Sequence, residues 1–238
     1  MEWREQAIIL GAKRHGETSA IVEVLTREHG RHAGLVRSGR SRRMRPVLQQ
    51  GNIVEVTWRA RLEEHLGSFL IEPVQHKAAL VMDEPMRLAG LTSLTALCAF
   101  LPEREAHSAL YDAAMLILAS IEDDEVWPPL LVRWEAGLLD ALGFGIDLSR
   151  CAATGQTADL VYVSPKSGRA VSAGAGEPYK ARLLALPGFL LGSGQAGTPD
   201  VIDGFSLTGF FLHRHLAGPR GVELPDARER LLEYLKAL

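Results

Sequence analysis

Cysteine is nearly absent from this 238-residue chain, which has only Cys98 and Cys151. Two thiols make neither a disulfide framework nor a complete structural metal site, so a disulfide scaffold is excluded and a reducing cytoplasm is expected. Long apolar runs are missing too. None approaches the roughly 18 residues that a membrane helix needs, and the opening MEWREQAIILGAK carries Glu2 and Glu5 ahead of its apolar stretch. Neither a signal peptide nor a membrane span is therefore expected. Catalytic signatures are missing as well: no G-x-x-x-x-G-K-[ST], no G-x-S-x-G, no H-E-x-x-H and no H-x-E with C-x-x-C occurs. Nucleotide hydrolysis, esterase chemistry and base deamination lack their usual residues, which points away from an enzyme, and no cofactor or metal is expected.

What is present is globular. Hydrophobic residues make up 47% and charged residues 23%, a balance that supports a packed core, and the length suits two modest domains. The net charge of -3 conceals an asymmetry: residues 1–80 hold 13 Lys+Arg against 9 Asp+Glu, and residues 81–238 hold 13 against 20. Within the basic half, residues 27–45 gather Arg27, Arg31, Arg37, Arg40, Arg42, Arg43 and Arg45 against the single Glu28. Charge runs usually form a solvated face. Guanidinium groups also pair bidentately with phosphate, and a loop of them across a barrel would track a nucleic-acid backbone, with Trp58 and Phe69 available to stack on bases or to fill the core.

Period-two alternation, such as Val22, Val24 and Thr26 against Ile21, Glu23 and Leu25, predicts strands at 6–13, 19–26, 31–37, 52–60 and 65–73. The polar break SGRSRRMRPVLQQG reads as a loop with a short helix. Five strands with that break suit an OB-like barrel, and an SH3-like barrel would give nearly the same pattern. After Asp83 and Pro85 the period turns helical, with further helices near 106–121, after Pro128-Pro129, at 203–217 and at 225–237. The expected architecture is α+β and multidomain: a nucleic-acid-binding barrel over 1–80, then an α-helical domain over 81–238.

Three local patterns read blandly. GSGQAG at 192–197 matches G-x-G-x-x-G, but a Pro-Gly break precedes it and TPDVIDG does not resemble a helix start, so a flexible loop is expected. His213 and His215 flank Arg214, and residues two apart on a helix point away from each other. Cys151-Ala-Ala-Thr154-Gly155 has the outline of a zinc knuckle with one sulfur missing.

The opening AIIL, then HGETSAIVEVLTREHGRHAGLVRSGRSR, LQQGNIVEV, the Cys-x-x-x-Gly turn and SPKSGRAVS together resemble the bacterial RecO family of DNA repair proteins. The resemblance covers roughly residues 1–180 and is looser beyond. It implies an N-terminal OB-fold DNA-binding domain over 1–80, a helical domain over 81–238 and, within it, a small zinc-finger-like insertion at 148–180. It further implies a non-enzymatic, cytoplasmic, nucleoid-associated recombination mediator that binds single- and double-stranded DNA and anneals complementary strands. Its implied partners are RecR, the C-terminal tail of single-strand-binding protein and, indirectly, RecA, with no membrane role. Nucleic-acid contacts are expected at Arg31, Arg37, Arg40, Arg42, Arg43, Arg45 and Trp58, with Arg214 and Arg220 as local basic spots on the acidic half. Where the zinc-holding relatives carry two C-x-x-C pairs, this chain offers Cys151, Thr154, Ser172 and Ala175, so the insertion is expected to be degenerate and metal-free. Other classes remain open: a metal- or nucleotide-dependent enzyme of DNA metabolism, or a protein-interaction scaffold without DNA affinity.

Overall fold

The computed structural model describes residues 1–194 and 196–238 and divides into two compact units, Met1–Glu122 and Asp123–Leu238. The first is built on a closed five-stranded barrel of order β1-β2-β3-β5-β4, formed by β1 (Glu2–His15), β2 (Ser19–Thr26), β3 (Gly30–Val36), β4 (Ile53–Arg59) and β5 (Ser68–Gln75). Neighbours pair antiparallel except β3 with β5, which meet in parallel at Leu35 and Ser68, and β1 closes the barrel by pairing with both β2 and β4. That order is the OB-like arrangement.

Alternation explains why these segments close. Ala7 and Ile9 of β1, Val22 and Val24 of β2, Val54, Val56 and Trp58 of β4 and Phe69 and Ile71 of β5 point into one buried cluster. Gly34 of β3 is needed opposite Phe69, because a Cβ there would lie 2.6 Å from the ring. At the β2–β3 turn Gly30 has φ +61°, and a Cβ would come within 1.9 Å of the Glu105 carbonyl oxygen, so neither its conformation nor its space admits a side chain.

The arginine-bearing break between β3 and β4 is held by its own apolar residues. Its short helix α1 (Met44–Val47) and the following Leu48 send Val47 and Leu48 into the barrel cluster, with Met44 packed against it. Asn52, 1% exposed, completes the anchor: its amide nitrogen donates to the carbonyls of Pro46 (2.7 Å) and Val47 (3.1 Å), and its amide oxygen accepts from Ala78 N–H (3.0 Å). Ala78 belongs to α2 (Lys77–Val81), and α3 (Pro85–Leu97) and α4 (Ser108–Ala119) follow in the same unit. Tyr111 of α4 donates its hydroxyl to the Gln6 carbonyl (3.2 Å), which ties this helix to β1.

In the second unit α7 (Thr198–Leu212) packs against α5 (Trp127–Ala141), α8 (Asp226–Lys236) and one strand of a three-stranded sheet of order β7-β6-β8, formed by β6 (Leu160–Val163), β7 (Ala170–Ser172) and β8 (Leu184–Ala185). A short α6 (Ala173–Gly176) follows β7. Between α5 and α8, Glu135 and Arg228 form a buried two-point ion pair at 2.8 and 2.9 Å, and Thr208 of α7 donates its hydroxyl to Glu135. The helix expected at 203–217 starts earlier, at Thr198, and ends in a π turn over His213–Ala217. TPDVIDG does not resemble a helix start, yet Pro199 sits where the missing N–H costs nothing, and the Asp200 carboxylate accepts from Gly197 N–H (3.1 Å). Gln195, inside the GSGQAG string, lies outside the described residues, and the segment before the string is a 3-10 turn (Gly188–Leu191).

Replacing Asn52 with Ala strands two carbonyls and one N–H in the interior. At about 1–3 kcal/mol per orphaned buried group, partly offset by relaxation, the unit should lose about 2–3 kcal/mol in urea unfolding. An unchanged midpoint would show that the amide does not anchor the loop.

Candidate nucleic-acid interface

The anchored segment presents its charge outward. Arg37, Arg40, Arg42, Arg43 and Arg45 are all exposed. Arg37, Arg42, Arg43 and Arg45 have no ion-pair partner among the described residues. Arg40 plays a second part: its guanidinium donates to the carbonyls of Gly16 (2.9 Å) and Glu17 (2.6 Å), and its own N–H donates to Thr18 O (3.0 Å). The basic segment is thereby clamped onto the β1–β2 turn.

Beneath it lies an open groove of about 530 Å³ lined by Lys13, Arg14, Arg40, Arg45, Gln49 and Gln50, among others. Gln50 is oriented by donating to Leu10 O (2.9 Å) and Gln49 by donating to Arg45 O (3.0 Å). No carboxylate lines this groove and every charged residue in its lining is a cation, which suits a polyanion. Lys13 and Arg14 escaped the sequence reading because two cations at the end of an apolar strand do not form a charge run. The folded chain brings them beside the arginine loop.

Two of the expected contact residues are placed elsewhere. Trp58 is 1% exposed in the barrel core and donates its indole N–H to Leu66 O (3.0 Å), so it cannot stack on a base; Phe69 is buried with it. The alternation of β4 puts positions 54, 56 and 58 on one face, and that face is the interior. Arg31 is also withdrawn. Its Nε donates to Leu101 O (2.9 Å), and Glu23 and Glu103 flank its guanidinium at 3.7 and 3.6 Å, so it pins β3 to the chain after α3. Arg214 and Arg220 are exposed on the second unit. Arg214 donates to the Pro165 carbonyl, and Arg220 sits in the 3-10 turn Gly218–Arg220. His215 is stacked against Phe144 at 4.8 Å, and burial and the neighbouring Arg214 hold its pKa below the usual imidazole value.

The knuckle outline has become a hydrogen-bonded turn. Cys151 Sγ accepts from both the N–H and the hydroxyl of Ser172, each at 3.3 Å, and Gly155 N–H closes the turn on Cys151 O (2.9 Å). The Ser172 hydroxyl, followed by that of Thr154, favours the thiolate and brings Cys151 down to about 6. Two of the positions aligned with zinc ligands thus serve as donors to the remaining sulfur, and Ala175 has no donor atom. Neutral hydroxyls cannot replace three thiolates, so zinc does not fit this set. Beside it, the Asp147 backbone bonds to Gly168 and to Ala170 at the start of β7, and its carboxylate pairs with Arg169 (3.3 Å), while Leu160, Val163, Ala170 and Val171 are buried.

Comparison with known proteins agrees with this architecture. Residues 1–76 match the family described as "Recombination protein O N terminal", and residues 82–223 match "Recombination protein O C terminal". Proteins named DNA repair protein RecO are similar along nearly the whole chain: 55% identical in Rhizobium etli (100% of this chain, 94% of the relative), 54% in Methylobacterium nodulans (96% of each) and 53% in Mesorhizobium japonicum (99% and 94%). An OB-like barrel with a basic groove, followed by a helical unit, defines a class of nucleic-acid-handling proteins. Within it, this chain belongs to the RecO family of DNA repair proteins. No described helix is long and apolar enough to cross a membrane.

Elemental analysis of protein purified without added metal should find far less than one zinc per chain, and EDTA should leave the thermal midpoint unchanged. Near-stoichiometric zinc, or a midpoint lowered by chelation, would overturn the account of the Cys151 turn.

Proposed function

We propose that this chain is a non-enzymatic recombination mediator in DNA repair. It binds single- and double-stranded DNA, anneals complementary strands and, with RecR, helps to load RecA on strands coated by single-strand-binding protein. The observation that carries the reading is the carboxylate-free basic groove under a loop whose arginines are held outward by an apolar and amide anchor. Annealing needs a sequence-tolerant electrostatic surface and no covalent chemistry, and such a groove supplies it. DNA binding is assigned to residues 1–80. Residues 81–238, with the insertion at 148–180, are assigned to protein partners: RecR and the acidic, apolar-ended tail of single-strand-binding protein. With 20 acidic against 13 basic residues, that part of the chain disfavours a phosphate backbone except near cations such as Arg214 and Arg220. The chain acts in the cytoplasm, at the nucleoid.

Seven cations, Lys13, Arg14, Arg37, Arg40, Arg42, Arg43 and Arg45, are placed to meet phosphates. At roughly -0.7 per contact, log affinity for a single strand should fall with log salt at a slope of about -5. Replacing Arg37, Arg42, Arg43 and Arg45 with Ala, and sparing the Arg40 clamp, should flatten the slope by about 3 and suppress annealing with the fold intact. A slope unchanged by the four substitutions would sink the assignment.

A further inference from the structure

A second cavity in the barrel unit, about 430 Å³, has a different chemistry from the basic groove. Its wall is a pile of rings: Trp3 is stacked on His29 at 4.2 Å and 10°, and on Trp58 at 5.8 Å and 20°. His32, 3% exposed, lines the same cavity and meets the Trp58 ring edge-on at 4.9 Å. Its Nδ1 lies 3.0 Å from Ala33 O, which can only accept, so Nδ1 carries the proton and Nε2 is left as an acceptor. Nε2 has no hydrogen-bond partner among the described residues. Burial, with the nearby Arg104 cation, holds this ring below the usual imidazole pKa and keeps Nε2 free of a proton at neutral pH.

Arg104 lines the cavity as well, and its position is built at a cost in backbone strain, with φ +62° for a non-glycine residue. Three bonds hold it there: its N–H donates to Arg31 O (2.8 Å), and its guanidinium donates to Glu63 O (2.6 Å) and His65 O (2.9 Å). Those bonds use two of five guanidinium N–H donors. The cavity therefore offers a buried acceptor, a fixed cation with spare donors and a wall of rings. Three carboxylates line it: Glu2 and Glu28 are each paired with an arginine, Arg59 at 2.9 Å and Arg27 at 2.7 Å, and Glu63, which has no ion-pair partner among the described residues, faces the same cavity as the Arg104 cation.

We infer that this cavity captures one unstacked nucleobase of a single strand, with His32 Nε2 and Arg104 meeting its Watson–Crick edge. Every base carries a donor beside an acceptor on that edge, so all four are accommodated and no sequence is selected. A base in a duplex has its edge occupied and its faces stacked, and is refused. The inference rests on the DNA-binding reading of the barrel and adds to it the group that tells single strands from duplexes, since the arginine groove reads only phosphate.

The test compares three probes of equal length on the full chain: a thymidine 20-mer, an abasic 20-mer and a duplex 20-mer. The thymidine strand should bind about tenfold tighter than the abasic strand, the scale of one base edge hydrogen-bonded to a charged donor and a sheltered acceptor. His32→Phe keeps a ring against Trp3 and Trp58 but removes the acceptor; it should erase most of that difference, with duplex binding as the check on folding. In the unaltered protein, a strand carrying 5-bromodeoxyuridine should photocrosslink to Trp3 or His29. Equal affinity for the thymidine and abasic strands, or crosslinks confined to residues 11–14 and 37–50, would overturn the cavity's role and leave the DNA-binding reading standing. Binding of none of the three probes would overturn both.

Discussion

Everything the barrel does with charge depends on one arrangement: an uncharged anchor beneath a charged loop. Five exposed arginines between residues 37 and 45 repel one another and have little reason to adopt a single position. They are held because Val47 and Leu48 are buried in the barrel core and because the Asn52 amide satisfies Pro46 O, Val47 O and Ala78 N–H together. Burial of each aliphatic side chain contributes about 1.5–3 kcal/mol, enough to fix a short segment against the repulsion of solvated cations. Arg40 adds a second point of attachment by turning its own charge onto the β1–β2 turn.

The same unit keeps its two chemistries apart. Cations line the groove at Lys13, Arg14, Arg40 and Arg45, and the rings of Trp3, His29, His32 and Trp58 meet in the other cavity. A phosphate backbone and a base edge need different surroundings, the first a wet positive surface and the second a sheltered slot with a fixed acceptor and a fixed donor. The second unit is stabilised differently again. Its Glu135–Arg228 pair is buried, and loss of either partner would leave an uncompensated charge among α5, α7 and α8.

Much of this was legible in the sequence. Strict alternation marks the barrel strands, because a closed sheet buries one face and period two reports it directly. The arginine loop was legible for the same reason: its composition breaks the alternation. Trp58 was not, since an indole in an alternating strand suits either a core or a stacking platform, and only the Leu66 carbonyl within reach of its N–H decides. Arg31 belonged to the charge run by spacing, yet its partners Leu101 and Glu103 come from beyond α3. The start of α7 was hidden by Gly197-Thr198-Pro199, although Asp200, three residues after the glycine, was a usable capping signal. His32 and Arg104 meet only in the fold, and no local pattern joins them. Strands β7 and β8, of three and two residues, are too short to show a period.

Hydrogen–deuterium exchange of the whole chain, with and without a bound single strand, tests the central claim most directly. The account predicts slowed exchange at residues 11–14 and 37–51, where the groove and its anchored loop would be covered. Protection confined to residues 123–238, with the barrel segments unchanged, would contradict it.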